Sequence, residues 1–131
     1  MNLNSPRLVI DLDNTLTIDG PEDYSTKRPN VSAIDTLRKY RNDGFTIAIH
    51  TSRNMRTYES SVGAITANTV PIVIDWLKKH DVPYDEIWVG KPWCGDNGFY
   101  VDDRAIRPSE FCNLSRQEIE DLLKREMQRD D

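Results

Sequence analysis

Four short apolar stretches, each bounded by polar or turn residues, set the pattern of the chain: RLVIDLD at 7–13, FTIAIHT at 45–51, EIWVGK at 86–91 and GFYVDD at 98–103. Their near-continuous Val, Ile and aromatic content, without clean alternation, is what strands of a parallel sheet covered on both faces require. All four are therefore expected to be buried strands. Between the first two, Asn30 or Ser32 can cap a helix with Val31, Ile34, Leu37 and Tyr40 on one side and Gly44 at its end. A second helix is expected to begin near Thr69 with Pro71 in its first turn, to carry Val73, Trp76 and Leu77 inward, and to stop before Val82-Pro83. The segment LSRQEIEDLLKREM sets Ser115 and Glu118 at capping-box spacing and adds a stripe of Ile119, Leu122, Leu123 and Met127, an amphipathic helix that closes the fold.

The β-α-β-α-β alternation predicts an α/β fold with a mostly parallel central sheet. At 131 residues and 37% hydrophobic content, a single domain spanning 1–131 is expected. The long, weakly patterned stretches 16–30 and 54–67 are where such a fold carries function. A net charge of -5 argues against a nucleic-acid or anionic-membrane partner, since both favour clustered Lys and Arg. Cys94 and Cys112 have no metal-like spacing and read as free thiols. With neither a signal peptide nor a long apolar run in view, a reducing cytoplasm is the expected compartment.

In doubly wound sheets the ligand site lies beyond the carboxyl ends of the strands. Those ends carry Asp11 and Asp13; Thr51, Ser52, Arg53 and Asn54; Lys91; and Asp102 and Asp103. Two carboxylates at i and i+2 on an extended segment share a face and crowd each other unless something positive joins them. A calcium loop fails as the explanation of the first pair, because the sixth position is Leu16 where a glycine is needed and the preceding segment reads as a strand. A response-regulator receiver fails on order, since Lys91 precedes Asp102 and Asp103. No Gly-rich P-loop is present.

In their actual order these residues resemble the haloacid dehalogenase (HAD) superfamily of phosphohydrolases: DLDNT as the first motif, Thr51 in HTSRN as the second, Lys91 as the third and VDD as the fourth. The run VGKPWCGDNGFYVDDRAIRP and the minimal length are similar to the small capsule-biosynthesis phosphatase-like subgroup. The resemblance implies a Rossmann-like three-layer sandwich and a Mg2+-dependent phosphatase acting on a small-molecule phosphate ester. By the subgroup, that ester is a sugar phosphate in capsule or surface-polysaccharide biosynthesis. It assigns Asp11 as the nucleophile that forms an aspartyl-phosphate and Asp13 as the proton donor and acceptor, whose backbone carbonyl also binds the metal. Thr51 and Lys91 become phosphate-stabilising groups, and Asp102 and Asp103 become further metal residues, with Asp102 the direct ligand.

Elementary chemistry points the same way, because an anionic nucleophile attacking an anionic ester needs neutralising charge and in-line placement. Oxygen donors suit Mg2+ better than a thiolate-loving metal. Ser52, Arg53 and Asn54 are candidate substrate contacts, Arg53 through its fork of donors. His50 and His80 read as structural, and Trp88, Trp93, Tyr24 and Tyr58 as core aromatics with a possible stacking role on a sugar.

The chain departs from the superfamily in two places. Between the first and second motifs there is room for a short flap at about 16–30 and a crossover helix, with no cap domain. An open site of this kind suggests a homo-oligomer whose neighbouring subunit covers it. Between Lys91 and Asp102 the segment is rich in Gly, Pro and Asn, and no regular helical crossover fits. Two other functions remain open: a catalytically silent phosphosugar-binding or assembly module, and a phosphotransferase with an acceptor other than water.

Overall fold

The computed structural model describes residues 5–128. The chain forms two compact units, one ending at Trp93 and one beginning at Cys94.

In the first unit, β1 (Arg7–Ile10), β4 (Thr46–His50) and β5 (Glu86–Trp88) form a parallel sheet in the order β1-β4-β5. Ile10 stands beside Ile49, and Ile49 beside Ile87, so the carboxyl ends of β1 and β4 finish level. Parallel neighbours need a crossover, and helix α1 (Val31–Asn42) supplies the one from β1 to β4. Asn30 caps it as expected: the side-chain oxygen accepts from the Ala33 backbone N–H at 3.2 Å, while its amide donates to the Thr15 carbonyl at 3.1 Å. A cap of this kind contributes about 1 kcal/mol. Gly44, at φ 97°, ends the turn that follows the helix. Val31, expected inward, is exposed, because it occupies the first helical position and not the stripe formed by Ala33, Ile34 and Leu37.

The second crossover holds two helices where one was expected: α2 (Val62–Asn68), capped by Ser61 onto the Ala64 N–H, and α3 (Val70–Lys79), with Thr69 shared between them. Val73, Trp76 and Leu77 are buried, as the spacing predicts, and so is Ile65 of α2, together with Ile10, Leu37, Ile47 and Ile49. The flap 16–30 contains a small antiparallel pair, β2 (Thr17–Ile18) with β3 (Arg28–Pro29).

The second unit contains α4 (Pro108–Asn113) and α5 (Arg116–Gln128). The expected capping box forms: the Ser115 N–H donates to Glu118 Oε1 at 2.9 Å, and the Glu118 N–H to Ser115 Oγ at 3.1 Å. The fourth expected strand does not form, since residues 98–103 carry no strand and Phe99 and Val101 are 80% and 89% exposed. A parallel strand needs a connection of about a dozen residues or more. Residues 89–97 are spent on turns, with Gly90 and Gly95 at φ 86° and 77°, and with Gly98 lying where any Cβ would strike the Cys94 carbonyl. Among the described residues the result is a mixed α/β protein with a three-stranded parallel sheet and five helices. No helix of the described residues is long and apolar enough to cross a membrane.

Candidate active site

Five of the expected residues come together at the carboxyl ends of β1, β4 and β5: Asp11, Asp13, Thr51, Arg53 and Lys91. After β1 the chain enters a tight turn in which the Thr15, Leu16 and Thr17 N–H groups all donate to the Leu12 carbonyl, at 3.3, 2.9 and 3.1 Å. Leu12 and Leu16 are buried and pin this turn from inside. Asn14 adopts φ 61° and donates its N–H to Thr17 Oγ1 at 3.1 Å, a conformation that Asn tolerates better than most residues. Asp11 and Asp13 are thereby presented at the start of the turn.

Asp11 accepts a hydrogen bond on Oδ2 from Thr15 Oγ1 at 3.2 Å, and its Oδ1 faces Lys91 Nζ at 3.7 Å. Burial raises the Asp11 carboxyl above its ordinary value; the Lys91 charge, a backbone N–H at Leu12 and the Thr15 hydroxyl pull it back down, and Asp13 adds a smaller upward push. Lys91 is delivered by the left-handed Gly90 and by a bond from its own N–H to the Thr51 carbonyl at 3.3 Å. Thr51 is buried; its N–H donates to the Trp88 carbonyl at 2.9 Å, and Oγ1 accepts from the Arg53 N–H at 3.0 Å, which leaves the hydroxyl proton to give.

Asp13 is held differently. Arg53 donates to both of its oxygens, Nη2 to Oδ1 at 2.7 Å and Nε to Oδ2 at 3.2 Å. The Arg53 side chain is only 1% exposed, against 38% for Asp13, and the Tyr24 ring lies 4.1 Å from the guanidinium carbon. Asn54, at φ 62°, is occupied in the backbone's own service: Oδ1 accepts from Thr69 Oγ1 at 2.7 Å, and Nδ2 donates to Thr57 at 3.2 Å. Ser52 accepts on its carbonyl from the Met55 N–H at 3.1 Å. Asp102 and Asp103 belong to the second unit, where Asp102 Oδ1 accepts from the Arg104 N–H at 2.8 Å.

Two residues next to this chemistry, Thr15 and His50, had no chemical role in the sequence reading, and Tyr24 had only that of a core aromatic or a sugar-stacking ring. Thr15 reaches Asp11 because a helical turn after the strand brings i and i+4 together; the signal was the Thr of DLDNT itself. Tyr24 lies against the Arg53 guanidinium, a contact the sequence reading did not anticipate. His50, read as structural, continues the β4 register one step past Ile49, level with Asp11; burial lowers its pKa, Lys91 lowers it further, and Asp11 raises it.

The resemblance implies Mg2+. Among the described residues no three His, Cys, Asp or Glu side chains converge. The first unit offers the Asp11 carboxylate, to which the resemblance adds the Asp13 backbone carbonyl, and such hard oxygen donors fit Mg2+ with its remaining positions filled by water, substrate or other oxygens.

A parallel α/β sheet with a partly buried carboxylate, a lysine and a buried threonine at its carboxyl edge defines the class of protein at hand: an α/β protein with a polar site at the strand ends. The chain belongs to the same family as a protein from Vibrio cholerae known from its crystal structure, with 54% identity and a TM-score of 0.90 over 92% of this chain and 98% of that one. Two structures of the Pnkp1/Rnl/Hen1 complex, one described as an RNA repair complex, align over 96% of this chain and 45% and 41% of theirs, at 19% identity and TM-scores of 0.48 and 0.47. No family profile and no curated protein matches the chain.

Proposed function

We propose that the protein is a Mg2+-dependent phosphatase of HAD type that hydrolyses a phosphorylated small molecule, a sugar phosphate by subgroup resemblance. The observation that carries this reading is the placement of Asp11: a carboxylate with Oδ2 held by Thr15 and Oδ1 turned to Lys91. Oδ1 is the oxygen left for attack on phosphorus. As it bonds, the ester P–O bond breaks and the leaving oxygen takes a proton from Asp13. Water then attacks the aspartyl-phosphate, Asp13 receives its proton, and the Asp11–phosphorus bond breaks to release inorganic phosphate. The Thr51 hydroxyl and Lys91 offset charge on the phosphoryl oxygens. Mg2+ would be held by the Asp11 carboxylate and, by resemblance alone, by the Asp13 carbonyl, Asp102 and Asp103, and would supply neutralising charge.

Both Asp13 oxygens accept from Arg53, and each keeps a second lone pair through which a proton can pass. That same grip favours the second reading, a silent phosphosugar-binding module. A broad phosphate-ester panel with Mg2+, with release of inorganic phosphate as the readout, separates the two. Turnover that EDTA stops and Mg2+ restores, that disappears in Asp11→Asn and falls about 100-fold or more in Lys91→Met supports the enzyme. Tight sugar-phosphate binding without turnover supports the module, and label passed to an acceptor other than water makes the protein a phosphotransferase.

A further inference from the structure

We infer that Tyr24 is a positioning residue of this site: its ring holds the Arg53 guanidinium in the plane that fixes Asp13. The role assigned to Asp13 rests on the phosphatase reading, whereas the contact between ring and guanidinium stands without it.

Arg53 spends Nε and Nη2 on Asp13, while Nη1 is buried with no hydrogen-bond partner among the described residues. Hydrogen bonds therefore fix only one edge of the guanidinium. Tyr24 supplies the other constraint, its ring 4.1 Å from the guanidinium carbon, a distance at which a cation is drawn to an aromatic face.

The ring is itself held from outside the site. Asp23 Oδ1 takes the Ser25 hydroxyl at 2.6 Å and the Thr26 hydroxyl at 3.0 Å, closing a turn around Tyr24. Lys27 Nζ donates to the Gly20 carbonyl at 2.6 Å and ties the two ends of the flap. The buried Trp76 of α3 donates Nε1 to the Lys27 carbonyl at 2.7 Å and fastens the flap to the core. The continuous path is core, flap, Tyr24, Arg53, Asp13. Among the described residues the Tyr24 hydroxyl makes no hydrogen bond, so the face of the ring is the working part.

Removing the ring leaves Asp13 with a partner that is free to rock, and a small misplacement of a proton-handling group costs rate while leaving substrate affinity alone. The test compares Tyr24→Phe, Tyr24→Leu and Tyr24→Ala in the full-length, Mg2+-loaded protein. The first readout is the Arg53 Nε–H resonance in a nitrogen–proton correlation spectrum, which needs no turnover. The second is kcat and KM on the best ester of the panel. Tyr24→Phe should keep the resonance in place and kcat within about twofold. Tyr24→Leu and Tyr24→Ala should shift and broaden the resonance and lower kcat about tenfold, with KM moving less than about twofold. The proposal is overturned if the resonance is unmoved in Tyr24→Ala, if KM alone changes, or if Tyr24→Phe is as damaging as Tyr24→Ala. Should the wild-type protein hydrolyse no ester, the phosphatase reading falls, and the resonance still decides whether Tyr24 holds Arg53.

Discussion

Asp13→Ala is expected to destabilise the protein, although removing a charged group from an active site often does the reverse. The substitution strands Arg53. Its guanidinium is 1% exposed, cannot lose its proton, and already has one nitrogen, Nη1, buried without a hydrogen bond. Without Asp13 both of its charge-assisted bonds are gone and only the Tyr24 ring remains against it. Removing one partner of a fully buried pair costs about 3–5 kcal/mol. Asp13 is 38% exposed, so water can enter the truncated site, which reduces the expected loss to about 2–3 kcal/mol. For a chain of 131 residues that is a fall in Tm of roughly 7–11 °C. Urea unfolding in the presence of a chelator, on wild type, Asp13→Ala, Arg53→Met and the double variant, reads the quantity directly. The double variant should regain most of what Asp13→Ala loses, because it buries no charge. An Asp13→Ala protein within about 0.5 kcal/mol of wild type, or a double variant less stable than Asp13→Ala, refutes the reasoning.

Three further outcomes follow from neighbouring contacts. Burial holds the folded Asp11 carboxyl above its unfolded value of 3.8, so its ionised form costs stability above that range, and the cost disappears as pH falls below it. Asp11→Asn should therefore raise Tm at about pH 7 and leave it unchanged at about pH 3; thermal scans in chelator check this, and a lower Tm at neutral pH counts against it. Gly90→Ala should cost about 1–2 kcal/mol in urea, because φ is 86° and the new Cβ would lie 3.1 Å from Val62 Cγ2; Gly90→Asn should cost less. Light scattering should show an assembly above the 15.1 kDa of one chain, with Phe99→Ser shifting it toward the monomer, since Phe99 and Val101 stand largely in water; a monodisperse monomer at micromolar concentration rules this out.

Legibility in the sequence followed the reach of the forces involved. Helix α1 with its Asn30 cap and helix α5 with its Ser115–Glu118 box are built from contacts a few residues apart, so spacing reveals them, whereas the strands at 7–10 and 46–50, which pair with each other from distant parts of the chain, show only through their apolar composition. Helix α2 escaped because VGAITAN has one buried position, Ile65, and no apolar stripe to read. The stretch 98–103 was misread for the opposite reason: GFYV has the composition of a strand, but strand formation depends on a partner, and the short turn-rich path from β5 is not local information in those four residues. Within the site, Asp11, Thr51 and Lys91 were legible from their strand-end positions. The Arg53–Asp13 pair spans 40 residues and the Tyr24 contact comes from a flap without periodicity, so neither could be read from spacing.

The two carboxylates that open the site are two residues apart, yet their surroundings set opposite energetic signs. Asp11, 36% exposed, lies beside a hydroxyl and a lysine 3.7 Å away, a distance that eases its charge without cancelling it, and partial burial leaves its carboxyl raised. Asp13, 38% exposed, is comparably open to water but is gripped on both oxygens by a buried arginine, so its charge is what makes Arg53 tolerable there. A group whose charge is costly in the resting protein gains most from passing that charge to a bond or a cation, which suits a nucleophile. A group held in place by a fixed partner, with a lone pair still open on each oxygen, suits a proton carrier. The opposite Tm shifts expected for Asp11→Asn and Asp13→Ala are therefore a test of the division of labour between them, and one that needs no substrate: equal signs would mean that both carboxylates serve the fold in the same way, and that the assignment of roles rests on resemblance alone.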